Sequence, residues 1–397
     1  MRDRRYSSTA LWRGQRERLK YAGLLAAIGT ALVIQPAKAE EAAATTDAKS
    51  GTAVLAPINV QANTENEGPL GPVIQQDSST ATKTDTPIKD IPRSISVETR
   101  QQMTDKGALR LEDTFDYTAG MRGSNYGVDA RGNWGSVRGF SPATYLDGLQ
   151  FGNDGYYNDT LPEIDMLERV EILKGPASAL YGMSAVGGIV NAVSKRPQEE
   201  TSRRVTVEYG TNNRKQATLD MTGKIDEDGK ILGRFVGLIR DSDTQVNYGK
   251  DDAGLLMPSI TFRPDTDTDI TVIGRYEKTK ITPEIQFLSL YGTLLPGPDG
   301  KYLDTDTFVG EPGFDKLNAT TRALTVDGRR RLDDVWTIKG TMRYSASSAL
   351  YNHAYWGYDN YPTRYTGAGE ADRTFYSREG ATYFWLGDLN ATADFET

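Results

Sequence analysis

Few side chains in this sequence are suited to catalysis or to metal binding. The 397 residues include no cysteine and a single histidine, His353. A cysteine nucleophile, a Cys/His zinc site and a disulfide framework are therefore excluded. A Ser-His-Asp triad would have to use His353, so hydrolase chemistry of that kind is not expected. We expect that the protein is not an enzyme and that it holds no metal and no cofactor of its own.

Aromatic and glycine-rich segments are the other parts of the sequence that could bind a ligand. Residues 353–358, His-Ala-Tyr-Trp-Gly-Tyr, form the densest aromatic patch, which fits either ligand binding or packing at the rim of a membrane barrel. The glycines between 182 and 188 lack the G-x-x-x-x-G-K-[ST] pattern of a phosphate loop, so nucleotide binding is rejected. The balance of 46 Lys+Arg against 54 Asp+Glu argues against a nucleic-acid partner.

The N-terminal 86 residues are predicted to contain a signal for export followed by a flexible segment. Basic residues, an apolar run over 21–34 and Ala37-Lys38-Ala39 predict a signal peptide over residues 1–39, with a membrane anchor as the alternative. Residues 40–86 have few large apolar side chains and are predicted to be disordered. Within them lies a short apolar segment that could form a strand. It either adds to the edge of a partner's sheet or is an accidental apolar patch; we call it the island. The island is Leu55-Ala56-Pro57-Ile58-Asn59-Val60.

The remainder divides into two regions of different pattern. Residues 87–202 have a mixed composition that predicts a small α+β domain. Residues 203–397 show period-2 alternation in about eight segments of about ten residues each, the length of a transmembrane barrel strand. Short turns alternate there with long polar loops, predicted at 241–255, 279–320 and 346–381, as two rims of a membrane barrel require. A soluble β-sandwich is the alternative.

The motifs of the first region, taken in order, resemble those of TonB-dependent outer-membrane receptors. The resemblance runs from Val54 onward and is strongest in the family's plug domain, while Leu55–Val60 falls where the family keeps its TonB box. The motifs that carry it are Ile88-Lys89-Asp90-Ile91-Pro92, Leu111-Glu112-Asp113, Val137-Arg138-Gly139-Phe140, Tyr145-Leu146-Asp147-Gly148, Leu167-Glu168-Arg169-Val170-Glu171-Ile172-Leu173-Lys174-Gly175-Pro176, Ala179-Leu180-Tyr181-Gly182 and Gly187-Gly188-Ile189-Val190-Asn191.

The resemblance implies a fold and a function. An α+β plug domain (87–202) would be followed by the first strands of an antiparallel transmembrane β-barrel (203–397), which has 22 strands when complete. About eight strands fit in these residues, so we expect the chain to be the N-terminal part of a receptor. The implied function is import of a ferric siderophore across the Gram-negative outer membrane. Phe287-Leu288-Ser289, Gly310-Glu311-Pro312 and Val193-Ser194-Lys195-Arg196-Pro197 are similar to receptors of the hydroxamate (ferrichrome and ferrioxamine) type.

The resemblance also implies partners and site residues. The partners would be TonB with its inner-membrane energising complex, the ferric siderophore, and outer-membrane lipid and lipopolysaccharide, with the receptor a monomer and no nucleic acid involved. Other ligands (a catecholate siderophore, haem or vitamin B12) and a non-transporting binder or adhesin are the alternatives. Siderophore contacts are expected from the plug residues Arg138, Tyr156 and Tyr157 and from Phe287, Tyr355, Trp356 and Tyr358 in the barrel loops.

Overall fold

The computed structural model describes residues 67–68, 70–124, 129, 132–151, 160–182, 184–284, 288–356 and 372–395, all within one structural unit, 61–397. The predicted signal peptide and the island 55–60 lie outside the described residues. Among the described residues, no helix is both long and apolar enough to cross a membrane.

An N-terminal domain of short elements precedes a large sheet. Its 3-10 turns span Ile88–Asp90, Leu111–Phe115 and Ile164–Met166. Its strands and helices are β1 (Glu67–Gly68), β2 (Gly71–Pro72), β3 (Asp77–Ser78), β4 (Thr86–Pro87), β5 (Ile95–Thr99), α1 (Arg100–Asp105), β6 (Met121–Arg122), β7 (Ser136–Val137), β8 (Ala143–Leu146), β9 (Leu149–Gln150), β10 (Leu167–Lys174), α2 (Ser178–Tyr181) and β11 (Gly188–Ser194).

A five-stranded sheet in the order β5-β10-β11-β8-β9 forms the core of this domain. Its central strand β11 is largely apolar, while β10 also carries charged residues; Val170 and Ile172 of β10 and Val190 of β11 have no exposed surface. This is the pattern of a strand covered on both faces. The helix α1 begins at Arg100 because Thr99 caps it: the Thr99 hydroxyl accepts the Gln102 N–H and the Gln102 side chain accepts the Thr99 N–H.

The large sheet contains the eight strands that the sequence predicts for the second region. Neighbours in the chain pair antiparallel, in the order β12 to β19, with β12 and β19 at the edges. The strands are β12 (Ser202–Tyr209), β13 (Lys215–Lys224), β14 (Ile231–Asp241), β15 (Asp251–Phe262), β16 (Thr268–Ile281), β17 (Lys316–Arg331), β18 (Trp336–Trp356) and β19 (Arg373–Ala393).

The last strands extend beyond the predicted boundaries. β18 runs to Trp356 and β19 begins at Arg373, so both ends of the loop predicted over 346–381 belong to strands. Parts of the loops predicted over 241–255 and 279–320 likewise belong to the flanking strands. Small and polar residues on both faces, such as Ser345 to Ala349, erase the amphipathic signal there. The backbone still pairs without interruption from Trp336↔Ala393 to Trp356↔Arg373, because each amide needs a partner.

The large sheet has its polar face buried and its apolar face exposed. On β18, Arg343 is buried against the N-terminal domain, whereas the neighbouring Met342 is 51% exposed. On β16, Arg275 and Glu277 are buried and Tyr276 is exposed. We call the face that carries Arg343 the inner face. A soluble protein buries its apolar face, so this inverted alternation is typical of a sheet whose outer face meets lipid.

The outward apolar band of β18 has the height of a membrane. It starts at Trp336, continues through Ile338 and Met342, and ends at Tyr344, which stacks on Trp385 of β19 with the ring centroids 4.8 Å apart. Eight steps of about 3.3 Å give about 26 Å along the strand, or about 20 Å of height at the usual barrel tilt of about 40°, comparable with the apolar band of outer-membrane barrels with aromatic residues at both borders. Because β18 continues to Trp356, the residues after Tyr344, more than half of the strand, project beyond this band.

Because the outer face is apolar, the loss of stability caused by a charged residue on that face should depend on its depth in the membrane. Met342→Arg should lower the free energy of unfolding in lipid vesicles by about 2–4 kcal/mol, since it buries a cation in the apolar band. Ser348→Arg, on the same face above the band, should cost only about 0–1 kcal/mol. Urea titration of the vesicle-embedded protein measures both. Equal costs at the two positions would contradict a membrane-facing outer surface.

Candidate functional site

A buried ion pair joins the N-terminal domain to the inner face at the Asp-Gly turn between β8 and β9. Asp147 and Gly148 adopt φ of 53° and 78°, the left-handed pair that a tight hairpin requires. The Asp147 carboxylate accepts the Ser194 N–H at 2.8 Å and the Ser194 hydroxyl at 2.9 Å. Arg343 donates to Asp147 Oδ2 at 2.8 Å and to the Leu146 carbonyl at 3.0 Å. The hairpin is thereby fixed to β18.

A second anchor lies near the short-turn rim of the sheet. Arg234 of β14 donates to both carboxylate oxygens of Asp220, at 2.8 and 2.9 Å, and to the Arg196 carbonyl at 2.9 Å. Lys195 donates to the same Asp220 at 2.8 Å. The segment that leaves the N-terminal domain is therefore bound to β13 and β14 by charge-assisted hydrogen bonds.

A third anchor lies beneath the long loops. Arg240 donates to both carboxylate oxygens of Glu163, at 2.8 and 2.9 Å, and to Asp251 Oδ1 at 3.0 Å. Arg110 of the N-terminal domain reaches Asp251 Oδ2 at 3.3 Å. Nearby, burial raises the pKa of Glu112, although the Trp134 N–H donates to its carboxylate at 3.3 Å. This loop-side end of the domain is thus built from paired charges.

A cavity of about 430 Å³ lies between the N-terminal domain and the inner face of β17–β19. Polar groups line it, among them Thr80, Asn191, Asp327 and Thr341. Its border is held by more exposed pairs, Lys83 with Asp388 at 3.2 Å and Lys339 with Asp85 at 3.9 Å. Stronger contacts reach this cavity as well, because Asp147 of the buried pair lines it and Arg196 donates to Asp327 at 2.6 Å.

Arg138 is exposed on a turn of the N-terminal domain, where its φ is 51°. Its N–H donates to the Gly120 carbonyl at 2.7 Å. Its guanidinium lies beside Gly175 and, with burial as the larger cause, lowers the pKa of Lys174. These neighbours belong to the N-terminal domain, and the role of Arg138 in siderophore binding stays a prediction.

Tyr355 and Trp356 lie at the end of β18, within the strand and not in a loop. Unbroken pairing along β18 carries the alternation of faces from Arg343 to these residues. Tyr355 is therefore on the inner face, with its ring centroid 5.4 Å from that of His353, and Trp356 is on the opposite face. The two side chains cannot line one wall of a binding site together. The other predicted site residues, Tyr156, Tyr157, Phe287 and Tyr358, lie outside the described residues.

The arginines on the inner face are the functional feature that sequence reasoning missed. Arg234, Arg240, Arg275 and Arg343 each occupy a polar position of an alternating strand, and each contacts the N-terminal domain. The sequence feature that could have revealed them is an arginine at one of the polar positions of a strand whose residues alternate between polar and apolar. Period-2 analysis identifies such a position but does not name its partner.

Residues 87–189 match the family model of the TonB-dependent receptor plug domain. The chain contains a TonB-dependent receptor plug domain. The match covers β5, β8, β9, β10 and the start of β11, together with Asp147 and Glu163, which bind the inner-face arginines. The plug is therefore the part of the molecule that the large sheet holds.

Curated relatives extend the similarity past the plug. The chain is 33% identical over 296 residues to the ferrichrome outer membrane transporter/phage receptor of Escherichia coli, covering 72% of this chain and 39% of the relative. It is 30% identical over 323 residues to the ferrioxamine B receptor of Salmonella typhimurium, covering 79% of this chain and 46% of the relative. The chain thus spans less than half the length of the curated relatives that it matches.

A solved structure shows the same fold. The ferripyoverdine receptor FpvA of Pseudomonas aeruginosa, bound to a heterologous pyoverdine, superposes with a TM-score of 0.73 at 22% identity, over 82% of this chain and 43% of that one. The predicted resemblance to TonB-dependent receptors is confirmed, as are the plug followed by antiparallel barrel strands and the outer-membrane localisation. The total of 22 strands stays a prediction.

The buried pair and an exposed pair on β18 should differ sharply in their contribution to plug anchoring. Arg343→Ala leaves the Asp147 carboxylate buried without its cation and should destabilise the docked plug by about 3–5 kcal/mol. Lys339→Ala removes an exposed plug contact of the same strand and should cost about 0–1 kcal/mol. Hydrogen exchange at residues 143–149 under increasing urea measures both. Similar costs would show that the Asp147–Arg343 pair does not anchor the plug.

Proposed function

We propose that this chain is the plug and first barrel strands of an outer-membrane receptor that imports a ferric siderophore with energy delivered by TonB. The observation that carries the proposal is a plug domain bound by buried charges to the inner face of a sheet whose outer face is apolar. A plug seals the lumen at rest, so passage of a ligand requires it to move. The chain is not an enzyme and supplies no chemical step.

The ligand would be a ferric hydroxamate chelate. The relatives named for ferrichrome and ferrioxamine B support this class. A hydroxamate siderophore already saturates Fe(III) with its own oxygens, so the receptor needs no metal ligand and no resident cofactor. It needs aromatic surface for the apolar flanks of the chelate and donors for its oxygens. Arg138 and Tyr355 offer these two kinds of group.

Binding and import would be separate events. The chelate would bind above the plug, between its apex and the barrel loops, and its contacts would favour a plug state that presents the TonB box to the periplasm. TonB would pair with the edge of the Leu55–Val60 strand and remodel the plug. Energy would come from the proton gradient of the inner membrane through the energising complex. At the cavity beside β17–β19, the exposed pairs Lys83–Asp388 and Lys339–Asp85 would break more easily than the Asp147–Arg343 and Arg196–Asp327 pairs.

A proline in the proposed TonB box should separate import from binding. Ile58→Pro removes a backbone N–H from the strand and blocks edge pairing. In iron-starved cells, uptake of ⁵⁵Fe-labelled ferrichrome or ferrioxamine B should fall to background while surface binding is retained. Asn63→Pro, outside the box, is the matched control. Unchanged uptake in Ile58→Pro would favour a non-transporting binder, and competition by a ferric catecholate, haem or vitamin B12 in place of the hydroxamates would identify another ligand class.

The two aromatic residues at the end of β18 should differ in their effect on siderophore affinity. Tyr355→Ala removes an inner-face ring and should weaken binding about 10-fold, the effect of about 1.4 kcal/mol. Trp356→Ala changes the opposite face and should alter the Kd less than about threefold. Binding of the ferric hydroxamate to outer-membrane vesicles gives both constants. A larger loss for Trp356→Ala would place the ligand on the other side of the strand.

A further inference from the structure

A short segment ahead of the plug sheet is docked on the plug through buried polar side chains. We call residues 77–83 the docked segment, because Ser78 and Thr80 within it are only 1% and 2% exposed. The Ser78 hydroxyl donates to Glu171 of β10, a fully buried carboxylate that also pairs with Arg169. Along the chain the docked segment lies between the proposed TonB box and the plug sheet, so a pull on the box reaches it before it reaches the sheet.

Thr80 is held at each of its hydrogen-bonding groups. Its N–H donates to the Ser78 hydroxyl oxygen at 3.1 Å, and its carbonyl accepts the Tyr181 hydroxyl at 2.8 Å. Its own hydroxyl oxygen accepts a hydrogen bond from Asn191 Nδ2 at 2.8 Å. The hydroxyls of the docked segment thus reach two neighbouring strands, because Glu171 of β10 is opposite Asn191 of β11.

The amide of Asn191 joins the docked segment to a different part of the plug. While Nδ2 donates to Thr80, Oδ1 accepts the Gly148 N–H at 2.9 Å. The donor and acceptor ends of an amide are not interchangeable, so the bond to Thr80 fixes the orientation in which Oδ1 meets Gly148. Asn191 is buried, and a buried amide that loses one partner is destabilised.

Gly148 belongs to the hairpin that anchors the plug to β18. The preceding residue, Asp147, binds Arg343, and its N–H donates to the Ala192 carbonyl at 2.8 Å. Thr80, Gly148 and Asp147 all line the cavity of about 430 Å³ beside β17–β19. The docked segment therefore forms one wall of this cavity, and the anchored hairpin forms part of another.

We propose that Asn191 is a positioning residue that couples the docked segment to the charge pair that holds the plug on β18. With the segment docked, Thr80 holds the amide in the orientation that Gly148 requires, and the hairpin stays rigid. When the segment leaves, the amide loses this restraint, its bond to Gly148 weakens, and water enters from the cavity. The charge pair then lies in more polar surroundings, where its attraction is smaller.

The consequence for import rests on the proposed function. A pull delivered by TonB would detach the docked segment first, and the detachment would loosen the hairpin without any direct force on it. The anchor would therefore weaken only while the TonB box is engaged, and the plug would stay in place at rest. Hydrogen exchange of the ligand-free protein tests the coupling itself, so its outcome does not depend on the proposed function.

The first test removes the hydroxyl of Thr80. Hydrogen exchange at residues 145–150 of the full protein in lipid nanodiscs should be at least about fivefold faster in Thr80→Val, the effect of losing about one hydrogen bond. Thr80→Ser keeps the hydroxyl and should retain the slow exchange. Thr82→Val is the matched control, since the Thr82 hydroxyl bonds to Thr84 and Thr86 within the same stretch of chain. Equal rates in Thr80→Val and wild type would overturn the proposal.

The second test asks whether the effect passes through Asn191. In Asn191→Ala the hairpin has already lost its bond, so adding Thr80→Val should accelerate exchange at residues 145–150 by less than about twofold. A further acceleration of about fivefold would show that Thr80 acts on the hairpin by another route, and Asn191 would have no coupling role. If Asn191→Ala fails to fold, Asn191→Ser, whose side chain is too short to bond to both partners, takes its place.

The third test detaches the segment at a residue that is not bonded to Asn191. Ser78→Asp places a second carboxylate against the buried Glu171, and the repulsion should expel the segment and accelerate exchange at residues 145–150 at least about fivefold. Ser79→Asp, on the less buried neighbour, is the control and should leave that rate unchanged. Fast exchange at residues 77–83 with unchanged exchange at 145–150 would contradict the coupling. A wild type that takes up neither ferrichrome nor ferrioxamine B would instead contradict the proposed function, with the exchange results unaffected.

Discussion

The fold depends on a sheet that buries charge on one face and exposes apolar side chains on the other. Arginines and acids on the inner face would be costly in a lipid-facing position and equally costly if buried without partners. The plug supplies those partners: Asp147 for Arg343, Glu163 for Arg240, and the Arg196 carbonyl for Arg234. Neither half of the molecule satisfies its polar groups alone, so the plug and the sheet stabilise one another.

This mutual dependence constrains how such a receptor can move. Breaking one partner of a fully buried pair costs several kcal/mol, whereas an exposed pair contributes about 1 kcal/mol or less. The buried pairs lie against β14 and β18, whereas the exposed ones, Lys83–Asp388 and Lys339–Asp85, lie at a cavity that Asp147 and the Arg196–Asp327 pair also line. A pulling force on the N-terminal segment would meet the exposed pairs first. The arrangement favours local displacement of the plug over its release as a whole.

The order of domains and strands can be predicted from the sequence, whereas most of the side-chain contacts between them cannot. Period-2 alternation identifies the eight strands of the large sheet. The extra length of β18 and β19 escapes prediction because residues 345–349 are small or polar on both faces, and only pairing with neighbours keeps them extended. The partner of each inner arginine escapes it too, since plug and strand lie up to 196 residues apart, as for Asp147 and Arg343. The sequence shows the composition of the aromatic patch 353–358. It does not show that His353 and Tyr355 lie on one face of the strand and Trp356 on the other.

The absence of cysteine from the chain makes a direct test of the two faces straightforward. Single cysteines introduced at successive positions from 336 to 344 of β18 can each carry one nitroxide spin label, with the protein in native outer-membrane vesicles. Accessibility to dissolved oxygen should be high at even positions, which face lipid, and low at odd positions, which face the plug. Equal accessibility at both sets of positions, or access of a water-soluble relaxation agent at positions 338 and 342, would contradict the account.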